Sequence, residues 1–248
     1  MSNGQCSLLL YICHHVATRY RMREHFLHAL AELEGQIRDM GNRVSLAVRD
    51  ALWSLERNEP IFARQIIAND NVIDELRYQI ETNALSVITR QQPMARDLRV
   101  VSMFLELASE LERIGDYAEG IAELVIRCIE LPALEQPPQI KTMALKAQAM
   151  LRDALDALHE RDPQAAERLE HSDDEIDGLY REVLAWTFAT MRSQPDYVER
   201  AMYYLWIAHN LERIADRTIN IGERTSFIAT GIIDKHRLRK DEADKPQA

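Results

Sequence analysis

Glycine and proline are scarce, eight of each in 248 residues, and only one short stretch concentrates proline. That scarcity excludes a turn-rich β-protein, and the abundance of Leu, Ala, Glu and Arg points to long helices instead. Cysteine is rarer still. Cys6, Cys13 and Cys128 are an odd number without zinc-ligand spacing, which excludes a disulfide framework and fits free thiols in a reducing compartment. Basic charge is also in deficit: 30 Lys and Arg face 40 Asp and Glu, for a net charge of −10 and a pI near 5.3. A nucleic-acid binder needs a basic face, so cations or basic protein surfaces are the expected company. No hydrophobic run is long. The most apolar stretch near the start, SLLLYI at 7–12, falls far short of the about 20 residues that span a bilayer. It lacks the basic flank and small-residue cleavage site of a signal peptide, so a cytoplasmic location is expected.

Catalytic signatures are missing as well. No G-x-S-x-G, Walker loop or zinc-protease motif occurs, and the cysteines have no evident base beside them. A ferritin-like di-metal enzyme needs Glu-x-x-His pairs facing into its bundle. The nearest approach is a single Asp156-Ala-Leu-His159 without a mate. The chain is therefore not expected to be an enzyme.

What remains is punctuation and periodicity. Helical patterning begins at Met22, which makes 1–21 an extension expected to be poorly ordered, with the adjacent His14 and His15 incidental. The first helix should run from Arg23 to Arg57 and stop at Asn58-Glu59-Pro60. A second reaches about Arg90 and stops at Gln91-Gln92-Pro93, with Pro93 suited to open a third that continues to about Glu130. The stretch LPALEQPPQI (131–140) is the one linker. Three further helices follow, to about Glu160, Arg192 and Thr230, broken at Asp162-Pro163 and Ser193-Gln194-Pro195. The charged, aperiodic residues 231–248 read as a disordered tail.

The two halves match. Pro60 pairs with Pro163 at a spacing of 103, and Glu112 with Glu212 at a spacing of 100. Asp70 and Asp74 correspond likewise to Asp173 and Asp177. The predicted fold is all-α: two tandem, pseudo-symmetric three-helix bundles at 22–131 and 139–230, joined by a linker at 132–138.

The matched third helices carry LERIGD (111–116) and LERIAD (211–216). At about 100° per residue, Leu107, Leu111, Ile114, Ala118, Ile121 and Val125 form an apolar stripe. Glu112, Asp116, Glu119 and Glu123 share a sector about 60° wide away from it. The second unit repeats this with Glu212, Asp216 and Glu223. Asp70, Asp74 and Glu81, and again Asp173 and Asp177, flank the stripes of the preceding helices. If adjacent helices turn these flanks together, four or more carboxylates converge in each unit. Like charges at i and i+4 repel by a few tenths of a kcal/mol, and a divalent or trivalent cation cancels that repulsion. Exposed acids are ordinarily just a solvated face. Here no base falls within the sector from Glu112 to Glu123, and the arrangement is duplicated.

LERIGD and LERIAD, followed by Ile-Ala-Glu at 121–123 and by Asn220-Ile221-Gly222-Glu223, resemble the paired E(D)-x-x-x-D motifs of the phosphate-uptake regulators, the PhoU family. QQPMARDLR (91–99) resembles that family's approach to its third helix, and MREHF its usual start. The resemblance spans about 22–228. It implies surface motifs that bind clusters of iron or other ions, with zinc, manganese or magnesium also in range. By position, the implied ligands are Asp70, Asp74, Glu112, Asp116, Glu119 and Glu123 in the first unit, and Asp173, Asp177, Glu212, Asp216, Glu223 and the Asn220 carbonyl oxygen in the second. It further implies a negative regulator of phosphate uptake and starvation signalling. Such a protein links the high-affinity transporter's ATPase subunit to a phosphate-sensing histidine kinase, forms a homodimer and meets the membrane only through its partners. A helical adaptor without metal is the alternative.

The sequence departs from the family pattern at two places. His commonly follows the motif Asp and Asn lies three residues further on, but the first copy has Tyr117 and Gly120, and the second has Arg217 with Asn220 kept. With Ile219 in place of an acid and Arg217 expected nearby, the second ribbon should hold cations less well. His209 lies near the second acidic sector and is read as an unligated surface group.

Overall fold

The structure, a computed structural model, describes residues 3–232, with side chains from Arg23 onward. The described residues form six α-helices: α1 (Asn3–Arg57), α2 (Pro60–Gln91), α3 (Arg96–Ile129), α4 (Pro138–Glu160), α5 (Ala165–Ser193) and α6 (Val198–Thr230). A single 3-10 turn, Pro195–Tyr197, precedes α6, and there are no strands among the described residues. The prolines act where their chemistry allows. Pro60 and Pro138 open α2 and α4, at positions whose missing N–H costs nothing.

Three boundaries differ from the sequence reading. α1 begins at Asn3, so residues 3–21 continue the first helix in place of the poorly ordered extension. Pro93 does not open α3. Gln92 and Ala95 both take positive φ, at 47° and 49°, which turns the chain tightly enough to delay the helix to Arg96. Pro195 likewise opens the 3-10 turn and not α6 itself. The tail expected to be disordered falls, from residue 233 on, outside the described residues.

α1, α2 and α3 pack on one another as the first bundle, and α4, α5 and α6 as the second. The bundles join chiefly through α3 against α6, with a smaller α1–α4 contact. One apolar core runs through both, from Leu33, Met40 and Ile80 across Leu107, Leu111 and Ile114 to Ile207, Leu211 and Ile214. α3 and α6 are therefore buried on two sides, which explains why their apolar stripes are so wide. They run antiparallel about a pseudo-twofold. Asn220 donates from Nδ2 to Glu110 at 3.0 Å, and the counterpart of that contact sets Asn210 against Gly120, where an added Cβ would stand 2.8 Å from Nδ2.

Candidate metal centre

The first bundle brings its acids together in the seam between α2 and α3. Asp70 and Asp74 stand one turn apart on α2, and Asp116 faces them from α3. One carboxylate oxygen from each lies within 4.8 Å of the others. Gly115 permits this approach, because a Cβ there would meet Ile73 at 3.2 Å and come within 3.8 Å of Asp70 Oδ1. Oxygens bound to a hard cation at about 2.0–2.6 Å stand up to about 4–5 Å apart across it. The trio therefore fits such an ion by donor type and by spacing.

Electrostatics points the same way. Burial raises the Asp70 carboxyl above its ordinary range, and Asp74 and Asp116 push it further. Asp116 is raised by burial and by Asp74, against the pull of Arg113. Glu112 is raised by burial and by Asp116, opposed by Arg113 and Arg77. Glu119 is pushed up to about 6, first by burial and then by Asp70, Glu123, Asp116 and Asp74. These carboxylates feel one another strongly, and a cation would relieve that repulsion. Glu123 lies at the exposed margin, 4.0 Å from Arg127.

Two features depart from the wheel-based reading. The acids do not face open solvent: Glu112, Asp116 and Glu119 are half-buried in the helix seam, and Asp216 is only 9% exposed. Bases also reach the acids. Arg77 of α2 stands 2.7 Å from Glu81 and 3.8 Å from Glu112, and Arg113 lies 3.6 Å from Glu112 and 3.4 Å from Asp116. A helical wheel places Arg113 about 100° from Glu112, but its long flexible stem folds back toward the acids. The hexapeptide carries an Arg immediately after its Glu in both copies, and that was the available signal.

The second bundle uses the same elements differently. Asp177 of α5 is raised by burial and then by Glu212 and Asp216, so these three meet in the α5–α6 seam. Arg213 enters this seam. It donates from Nε at 2.6 Å and Nη2 at 2.7 Å to the two oxygens of Glu212, and its Nη1 stands 2.9 Å from Asp216. A guanidinium fork thus supplies positive charge where an ion would. Asp173 is half-buried one turn before Asp177. Asn220 turns its amide to Glu110 of α3, and Glu223 lies 3.0 Å from Arg224. Arg217, expected beside the second ribbon, reaches Glu110 at 3.3 Å because α3 packs along that side of α6. His209 is half-exposed, with Nδ1 3.6 Å from Glu212. Among the described residues, three ligand atoms within 4.8 Å of one another are found in the first bundle alone.

Comparison with known proteins agrees with this duplicated architecture. The PhoU domain family model matches twice, at residues 37–125 and 140–225. A Synechocystis protein named a phosphate-specific transport system accessory protein PhoU homolog is 34% identical over 209 residues, covering 84% of this chain and 93% of the relative. A Clostridium acetobutylicum protein of the same name is 31% identical over 210 residues, covering 84% and 96%. The crystal structure of PhoU from Pseudomonas aeruginosa superposes with a TM-score of 0.80 at 27% identity, covering 84% of this chain and all of that one. The phosphate transport system regulatory protein PhoU from Streptococcus pneumoniae gives 0.78 at 29%, covering 85% and 99%. No described helix is long and apolar enough to cross a membrane.

Proposed function

Because the chain belongs to the PhoU family, we propose that it is an accessory regulator of phosphate transport whose first bundle carries a metal ion in the α2–α3 seam. Relatives across the matched length are named accessory proteins of the phosphate-specific transport system, which supports the regulatory role. In that role the protein represses phosphate uptake and starvation signalling, as a cytoplasmic adaptor between the transporter's ATPase subunit and the sensor kinase, and works as a homodimer.

The observation that carries the metal reading is the Asp70, Asp74 and Asp116 trio. Bound there, a divalent or trivalent ion such as iron, zinc, manganese or magnesium would neutralise repelling carboxylates and brace α2 against α3. Glu112 and Glu119 border the trio and are the next oxygens available. The chain's own residues do the rest: Gly115 sets the helix spacing, and Arg77 and Arg113 limit the surplus negative charge. In the second bundle Arg213 favours the alternative of a seam held without metal.

Two experiments test the reading. Metal content is measured on protein purified without chelator and compared with Glu112→Ala and Asp116→Asn variants. Equal content in all three defeats the metal site. Deletion of the gene, together with any second family copy in the genome, should switch on phosphate-scavenging genes in phosphate-rich medium, and unchanged repression defeats the regulatory role.

A further inference from the structure

Two cavities lie at opposite ends of the antiparallel α3–α6 pair. One, about 330 Å³, includes Val100, Phe104, His159 and Ile228 in its lining; the other, about 230 Å³, includes Arg200, Tyr204, Glu56 and Cys128. The internal repeat relates them. Val100 corresponds to Arg200, Phe104 to Tyr204 and Cys128 to Ile228 at a spacing of 100, and Glu56 to His159 at 103. Val100 is 3% exposed and Arg200 7%. The same packing position is thus filled by an isopropyl group in one bundle and a guanidinium in the other, so the fold itself does not demand a cation there.

Arg200 finds only neutral partners among the described residues. Nη1 donates to the Leu131 carbonyl at 3.0 Å and the Pro132 carbonyl at 2.8 Å. Nε donates to the Tyr204 hydroxyl at 3.3 Å, and the guanidinium carbon lies 5.9 Å from that ring's centroid. These carbonyls lie just past Ile129, the last residue of α3, close to the negative end of that helix's dipole, which amounts to roughly half a charge. That leaves a full guanidinium only partly compensated, and a buried charge without a counterion is costly. Glu56 lines the same cavity, but Lys141 engages its carboxylate at 2.6 Å. Nη2 makes no hydrogen bond among the described residues.

We propose that this cavity binds one small oxyanion, held by the Arg200 guanidinium with the Asn58 and Gln136 side-chain amides as neutral donors from the wall. At about 230 Å³ the space is below the roughly 300–1,000 Å³ of sites for drug-sized molecules, which favours a single compact anion. Burial pushes the Cys128 thiol up to about 11 against the pull of Arg200, so this wall offers a neutral S–H and no competing thiolate. Because Arg200 and Tyr204 also hold the carbonyls of Leu131, Pro132 and Leu134, a bound anion would steady the connection between the bundles.

The test is equilibrium dialysis of the full chain against labelled sulfate, inorganic phosphate and acetate in separate arms, at fixed ionic strength. Chelator treatment first strips the acidic seam, so that no metal there captures the anion. Wild type should take up about one anion per chain saturably in at least one arm. Arg200→Gln should bind at least about tenfold more weakly, the loss expected for one charge-assisted hydrogen bond. Circular dichroism shows whether that variant folds. If it does not, the Asn58→Leu/Gln136→Leu double variant, which spares the linker clasp, must show weakened uptake. Absence of saturable uptake in every arm, unchanged uptake in a folded Arg200→Gln protein, unchanged uptake in the double variant, or loss of uptake in Asp116→Asn would each overturn the proposal.

Discussion

Arg213 Nη1 stands 2.9 Å from Asp216, whereas one hundred residues earlier Arg113 Nη1 stands 3.4 Å from Asp116. The second arginine also grips Glu212 with two donors, while the first reaches Glu112 only at 3.6 Å. Their exposures follow suit, 34% for Arg213 and 59% for Arg113. Almost the same hexapeptide therefore gives one seam that holds its own cation and one in which three aspartates face each other.

Freeing the second seam should create cation affinity. Arg213→Gln removes the fork but leaves Asp177, Glu212 and Asp216 together, so bound metal per chain should rise above the wild-type value in the variant. Arg113→Gln should raise metal content only slightly, because Arg113 offsets some of the trio's negative charge from a side chain that is 59% exposed. Elemental analysis after dialysis against a limiting divalent ion measures both. A fall in metal on losing Arg213 would mean that the guanidinium helps to shape a site and does not fill one.

The paired aspartates should separate binding from stability. Asp116→Asn weakens the trio at its centre, so metal content should drop with little loss of thermal stability in metal-free protein. Asp216→Asn should leave metal content nearly intact but lower stability by about 1–2 kcal/mol, since a buried carboxylate facing a guanidinium is lost while Glu212 retains part of the pairing. Thermal melts with and without chelator decide this. Equal metal losses in the two variants would contradict the asymmetry.

Periodicity and breakers revealed six helices, their order and the repeat, because long amphipathic segments separated by proline carry most of an all-α fold. Pro60 and Asp162-Pro163 mark boundaries that the structure reproduces. The wheel also singled out Asp70, Asp74 and Asp116, whose carboxylates the structure brings within 4.8 Å of one another. It misjudged their surroundings, since it treats each helix alone and α3 and α6 are packed on several sides. That is why Asp216 proves buried and Arg217 crosses to Glu110. The reach of Arg213 was hidden for a related reason: residue spacing fixes where a Cα sits, while a guanidinium at the end of a long stem follows local charge. Arg200 gave no signal at all, because its burial depends on the linker folding over the start of α6.

The pH response of metal-free protein follows from Glu119. Its carboxyl is held at about 6 in the folded chain, against an ordinary value of 4.5. A raised carboxyl pKa means the folded state binds more protons between these values, so stability falls as pH rises through that window. Chelated wild type should therefore melt higher at pH 5 than at pH 7. Glu119→Gln should flatten the difference, and so should saturating metal, which replaces the protons. A wild-type melt that rises steadily over this range would show that the seam is not the governing group.

Gly222 reports how tightly the second seam is closed. A Cβ there would stand 3.1 Å from both the N and Cα of Ala166, and 3.0 Å from Leu169 Cδ1. Two of those three neighbours are backbone, which cannot swing aside as a side-chain tip can. Gly178, in the interior of α5, has nothing within 4 Å of its hypothetical Cβ. Replacing a mid-helix glycine by alanine gains about 0.5–1 kcal/mol from the unfolded chain's lost freedom, and that gain applies at both positions. Overpacking a filled contact costs about 1–3 kcal/mol, and this cost falls on Gly222 alone. Gly178→Ala should therefore raise stability slightly, and Gly222→Ala should lower it by about 1–2 kcal/mol. Denaturant titration of the two variants tests the pair. If Gly222→Ala matched Gly178→Ala, α5 would be able to move off α6 at no cost, and Asp177 would no longer be fixed opposite Glu212 and Asp216.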